Sequence, residues 1–247
     1  ALGGWRMAMT VTAAACLTLG LVWALMRELC TAPQTAQTQK NQAAKLNWQF
    51  FRRGRLFYFM GVACLTGMIR DGLTSWAPVY FSEEFSLNAT LSLILSAVLP
   101  AAKILALAVH PAVQKKVPKT RTQLIVFYAG CAAAACIVLL ANLAGWTLAA
   151  AGFMAVMLCL MVCTDLSFTI SIPIQFGSVG RSATVSGILD CMLYLGAAIS
   201  SYLFALLAQW GGWTATIVSW IVIPLIAIGI LLSRKNLEPE TAEKSHL

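Results

Sequence analysis

Five ionisable side chains stand inside long apolar stretches of this chain: Arg70, Asp71, Lys103, Asp165 and Asp190. A charge within a bilayer is expensive, so such residues face a protein interior or a water-filled cavity. Arginine and lysine there are receptors for an anion. The planar guanidinium grips a phosphate or carboxylate with two parallel hydrogen bonds, and the ammonium acts as a point charge. The aspartates are proton carriers or counter-charges. Each group is therefore open to two roles, pathway chemistry and internal pairing such as Lys103 with Asp190, and one group can alternate between them in a cycle.

The surrounding composition sets the solvent. Of 247 residues, 60% are hydrophobic and 11% charged, and mean hydropathy is +0.79. A soluble domain is about 45–50% apolar and about 25% charged. That excludes an ordinary soluble enzyme and a disordered chain, and it points to an all-α integral membrane protein. The net charge of +8 would suggest nucleic acid in a soluble protein. Here the basic residues sit at the ends of apolar runs, which is an orientation signal, so nucleic acid is not expected as a partner.

Seven transmembrane helices are expected, at Trp5–Met26, Leu56–Phe81, Ala89–Val113, Thr122–Leu143, Trp146–Ile170, Ala183–Ala208 and Trp213–Ser233. Helices satisfy their backbone hydrogen bonds locally, as a lipid solvent requires. Fourteen of the seventeen Lys and Arg residues fall in loops on one side, and only Arg6 on the other, beside Glu83 and Glu84 in its longest loop. This split predicts an outside N-terminus and a cytoplasmic C-terminus in the cell membrane. Residues 1–30 read as one helix and 31–54 as a polar, Gln-rich cytoplasmic linker. Residues 55–236 read as a six-helix block and 237–247 as a solvated tail.

The intramembrane charges recur with a period of three spans: none, charged, charged, none, charged, charged, none. A bundle of three-helix units gives this pattern when two helices of each unit face a polar pathway and one faces lipid. Arg70 lies roughly 22 Å, and Asp190 roughly 13 Å, from the cytoplasmic edge at 1.5 Å per residue. Lys103 lies roughly 21 Å from the outer edge. Neighbours Arg70 and Asp71 leave the helix about 100° apart, so they are expected to face different surroundings. Pro100 is expected to bend its helix near Lys103. His110 reads as a packing residue.

No nucleotide-binding P-loop, H-E-x-x-H or G-x-S-x-G motif is present, so neither enzyme chemistry nor a cofactor is expected. No two of the eight cysteines form a C-x-x-C pair, and they read as small apolar packing residues rather than metal ligands.

The stretch Arg70-Asp71-Gly72-Leu73-Thr74-Ser75-Trp76-Ala77-Pro78-Val79-Tyr80 resembles the R-x-G-x-x-x-W-x-P-x-Y pattern of helix seven in the organophosphate:phosphate antiporter branch of the major facilitator superfamily. Gly4-Trp5-Arg6, Arg27-Glu28 and the polar linker resemble that superfamily's sixth helix and central loop. Tyr194-Leu195-Gly196 and Gly212-Trp213 resemble its eleventh helix and the turn into the twelfth. The resemblance implies helices six to twelve of a secondary transporter. Helices one to five would be its missing partner, and a small organic anion such as a phosphate ester its substrate. It implies a substrate-binding role for Arg70, with Trp76 and Tyr80 from the same motif. Lys103 joins them as a second intramembrane cation, and Asp71, Asp165 and Asp190 are coupling or ion-pair candidates. Asp71 departs from the branch, which usually has an aromatic residue there. The alternatives are a seven-helix receptor or photoreceptor, although the last span has no lysine for retinal, and an inactive truncated transporter.

Overall fold

In a computed structural model, residues 4–29, 56–176 and 182–233 are described, and they contain helices and no strand. Contacts divide the chain into two compact units, residues 1–45 and 46–247. The first contains α1 (Gly4–Leu29). The second contains α2 (Leu56–Glu84), α3 (Ala89–Ser96), α4 (Val98–Lys116), α5 (Thr120–Leu143), α6 (Thr147–Leu166), α7 (Ile172–Gln175) and α8 (Ser182–Leu232). A π-helical turn, Ser167–Ser171, joins α6 to α7. The linker 31–54 and the tail 237–247 lie outside the described residues.

Among the described residues, six helical stretches are long and apolar enough to cross a bilayer. The last, α8, has 51 residues and would be about 76 Å long if straight, more than twice a hydrocarbon core of about 30 Å. It is not straight. Gly212 has φ 68° and ψ −173°, a left-handed conformation open to glycine because it has no Cβ. The rings of Phe204 and Trp220 stand 6.1 Å apart, whereas a straight helix would separate their Cα atoms by about 24 Å. So α8 is a helical hairpin of two arms, and the seven expected spans correspond to six stretches, one of them folded double.

The break before α4 falls at Ala97 rather than at Pro100. Pro100 has no N–H, and its ring clashes with the carbonyl four residues back, that of Ser96. The helix therefore ends at Ser96 and restarts, leaving Pro100 in the first turn of α4, where proline is tolerated. The side chain of Asn88 caps α3 by accepting the Leu91 N–H at 2.9 Å.

The two ends of unit 46–247 differ in charge. At one end, Trp213 Nε1 donates to Glu83 at 3.0 Å and Asn142 Nδ2 donates to Glu84 at 2.9 Å. About 32 Å away along α5, Arg121 Nε donates to the Leu231 carbonyl at 2.8 Å, a cation at the negative end of α8. Gln175 meets Thr120 there, beside the basic last turn of α4 with Lys115 and Lys116. The exposed Leu105, Leu107, Leu140 and Leu148 present the apolar surface that a lipid-facing bundle needs.

The closest packing is between α2 and the first arm of α8. A Cβ on Gly67 would lie 1.8 Å from the Leu193 carbonyl oxygen, and one on Gly196 would lie 1.9 Å from that of Cys64. The two glycines let the backbones touch reciprocally, as small residues do between membrane helices. Gly67→Ala or Gly196→Ala should destabilise the bundle by about 1–3 kcal/mol or more, read as a lower unfolding midpoint in detergent. Gly61→Ala, where a Cβ meets nothing within 4 Å, should leave the midpoint unchanged.

Candidate functional site

The crossing at Gly67 and Gly196 fixes what stands one turn further along α2. Arg70 is there, its side chain 12% exposed, and it holds two carboxylates. Its Nε and Nη2 donate to Asp71 at 3.1 and 2.6 Å, and Nη1 donates to Asp165 on α6 at 2.6 Å. The Thr169 hydroxyl, in the π turn, shares its one proton between Asp165 at 3.5 Å and Asp190 at 3.4 Å, both at the edge of hydrogen-bond range. The chain Asp71–Arg70–Asp165–Thr169–Asp190 thus spans α2, α6 with its π turn, and α8. Tyr194, an exposed residue of α8, lies with its ring centroid 5.7 Å from the guanidinium carbon, within cation–π range.

The pairing corrects one expectation. Arg70 and Asp71 leave the backbone in different directions, but the arginine side chain is long enough to fold back and set its fork on its neighbour. The Asp71 and Asp165 side chains keep 29% and 20% exposure, so this site is not sealed. Arg70 has five N–H donors, of which three are engaged. One on each terminal nitrogen has no acceptor among the described residues.

The other candidates fall elsewhere. Lys103, on α4, is half-buried and forms no ion pair among the described residues, so the pairing with Asp190 is not made. Tyr80 is fully buried, and its hydroxyl donates to Asn142 at 2.7 Å. Its ring lies 5.3 Å from Trp213 and 6.4 Å from Trp220, which makes it part of the core between α2 and the α8 hairpin. In this conformation no face of Tyr80 is left for a substrate. Trp76 packs on Trp213 at 6.3 Å, with its indole N–H buried and without a partner among the described residues. The sequence does not single out Thr169, and Tyr194 appears there only as part of the eleventh-helix resemblance, not as a site residue. The signal for Thr169 was its place four residues after Asp165, one helical turn on.

A family model described as the Major Facilitator Superfamily matches residues 1–188. The chain belongs to that superfamily. Neither a curated protein nor a solved structure matches it. Membership makes the chain a transporter of the major facilitator type, a multi-pass all-α membrane protein rather than a receptor or photoreceptor.

Breaking a buried pair from one side costs about 3–5 kcal/mol, while removing both partners costs far less. Arg70→Met should therefore lower the unfolding midpoint more than Arg70→Met combined with Asp71→Leu and Asp165→Leu. A triple variant less stable than the single one would show that these charges do not compensate one another.

Proposed function

We propose that this major facilitator transporter carries a small organic anion, such as a phosphate ester, by alternating access, with Arg70 as the anion's receptor. The observation that carries the reading is the placing of Arg70. A permanent cation stands midway along α2, held by carboxylates from two helices, with two N–H donors left over. Two donors are enough for a two-bond contact with one oxyanion. Asp71 and Asp165 hold the guanidinium while the site is empty, and an arriving anion replaces one of them. Exchange of one anion for another, as in the antiporter branch that the α2 motif resembles, fits such a site. Lys103, without a carboxylate partner among the described residues, adds a second positive charge within the span.

In this reading the first helix and linker join the block to five preceding helices, and the two halves rock about a site between them. The acidic end with Glu83 and Glu84 faces outward, and the basic end with Lys115, Lys116 and Arg121 faces the cytoplasm of a cell whose plasma membrane holds the protein. Single cysteines at positions 84 and 117, in a background without native cysteines, test this. An impermeant maleimide should label position 84 in intact cells and position 117 only after permeabilisation. The reverse result would overturn the orientation.

Arg70→Lys tests the receptor role, because lysine keeps the charge and loses the fork. Uptake of a panel of phosphate esters and dicarboxylates by cells producing the complete transporter should show KM raised at least about tenfold, equivalent to about 1.4 kcal/mol. The amount of protein in the membrane should be unchanged. Near-normal uptake by Arg70→Lys would reject anion binding and leave Arg70 as the centre of a structural ion pair.

A further inference from the structure

Three polar contacts stitch α4 to the α6 stretch, and all three join residues 57 positions apart in sequence. Cys163 Sγ donates to the Ala106 carbonyl at 3.6 Å, His110 Nε2 lies 3.1 Å from Ser167 Oγ, and Gln114 Nε2 donates to Ser171 Oγ at 3.4 Å. A constant offset with steps of four residues means that the two helices run parallel and in register, one rung per turn. The middle rung is buried. His110 is 5% exposed and its ring stacks on Phe127 of α5 at 6.3 Å.

The upper two rungs bracket the π turn. Ser167 is its first residue and Ser171 its last, and the Ile172 N–H bonds the Ser167 carbonyl five residues back. Pro173 explains why the α-helix gives way here. It has no N–H for the Thr169 carbonyl, and its ring would strike that carbonyl in α geometry. Relief requires a local widening, but proline does not say where or in which direction. A π turn amounts to one extra residue in the helix, a common device at functional sites. It sets the azimuth of Thr169, and Thr169 bridges Asp165, a partner of Arg70, to Asp190.

We propose that His110 is a positioning residue of the Arg70 site. Through Ser167 it holds the π turn in the register that sets Thr169 between Asp165 and Asp190. The proton assignment follows from the network. Ser167 has one hydroxyl proton, which it donates to the Cys163 carbonyl at 3.1 Å, so its oxygen accepts from His110 Nε2–H. What the turn requires of position 110 is therefore a hydrogen-bond donor of that reach, which glutamine supplies and leucine does not. The functional consequence rests on reading the Arg70 cluster as the transport site, whereas the geometric claim does not.

The test reads the register directly, without a substrate. Thr120 and Gln175, in contact at 3.0 Å beyond the π turn, are replaced by cysteine in the full protein. The native cysteines are removed and Cys163 becomes serine. A short thiol-to-thiol cross-linker should join them. In His110→Leu the yield should fall at least about fivefold, because a one-residue register change turns Gln175 by about 100°. In His110→Gln it should return to within about twofold of the parent, since the same donor is present. A control pair at positions 84 and 142, at the opposite end of the bundle, should cross-link equally in all three. Unchanged yield at 120–175 in His110→Leu overturns the proposal, and so does equal loss in the glutamine and leucine variants, which would make His110 a packing residue. If His110→Leu does not fold, Ser167→Ala removes only the accepting hydroxyl and must reproduce the loss; unchanged yield in that variant overturns the proposal equally. Rejection of Arg70 as an anion receptor by uptake would leave the cross-linking result standing, so the two readings fail separately.

Discussion

A guanidinium that stands midway along a membrane helix has to be neutralised where it stands. Arg70 cannot lose its proton, and its position on α2 leaves it too far from either end to reach an interface. Counter-charge must come to it. One carboxylate is supplied by its own neighbour, Asp71, and the other by Asp165, 95 residues further along the chain. The second of these is a tertiary constraint. It requires α6 to lie against α2 at a particular depth and rotation, and most of the packing described above serves that requirement.

Backbone contact makes the required closeness possible. Where Gly67 meets Leu193 and Gly196 meets Cys64, α2 and the first arm of α8 leave no room for a Cβ. In lipid, helices gain little from burying apolar side chains against one another, so close backbone approach and interhelical hydrogen bonds hold the bundle together. The crossing lies one turn from Arg70 and fixes both Tyr194 and the α8 side of the cluster. At the acidic end the Gly212 reversal brings the second arm back, and Trp213, held by Glu83, closes the aromatic core around Tyr80.

The α6 stretch carries both a regular and an irregular part of the site. Asp165 is on regular helix. Thr169 is in a π turn whose hydrogen bonding is poorer than that of the α-helix it interrupts. The turn is made necessary by Pro173 and is steadied by a parallel ladder from α4.

The sequence by itself determined the lipid solvent, the span positions to within a few residues, the contrast in charge between the two ends and the set of intramembrane charges. These follow from composition and from a local requirement, that each helix satisfy its own backbone. The superfamily was legible too, because Gly4-Trp5-Arg6, Arg27-Glu28 and the polar linker that resemble it are local in sequence. Partnership was not. The long arginine side chain defeats a rule based on backbone direction, which is why Arg70 and Asp71 pair although they leave the helix about 100° apart. Motif membership did not distinguish Arg70, at the cluster, from Tyr80, whose hydroxyl is bonded to Asn142 in the core. Nor did hydropathy show that Lys103, on α4, makes no ion pair with the Arg70 cluster among the described residues. The π turn was hidden because proline marks a disturbance without fixing its register. That register depends on what α4 presents across the interface, His110 to Ser167 and Gln114 to Ser171, and only the tertiary structure brings those residues together.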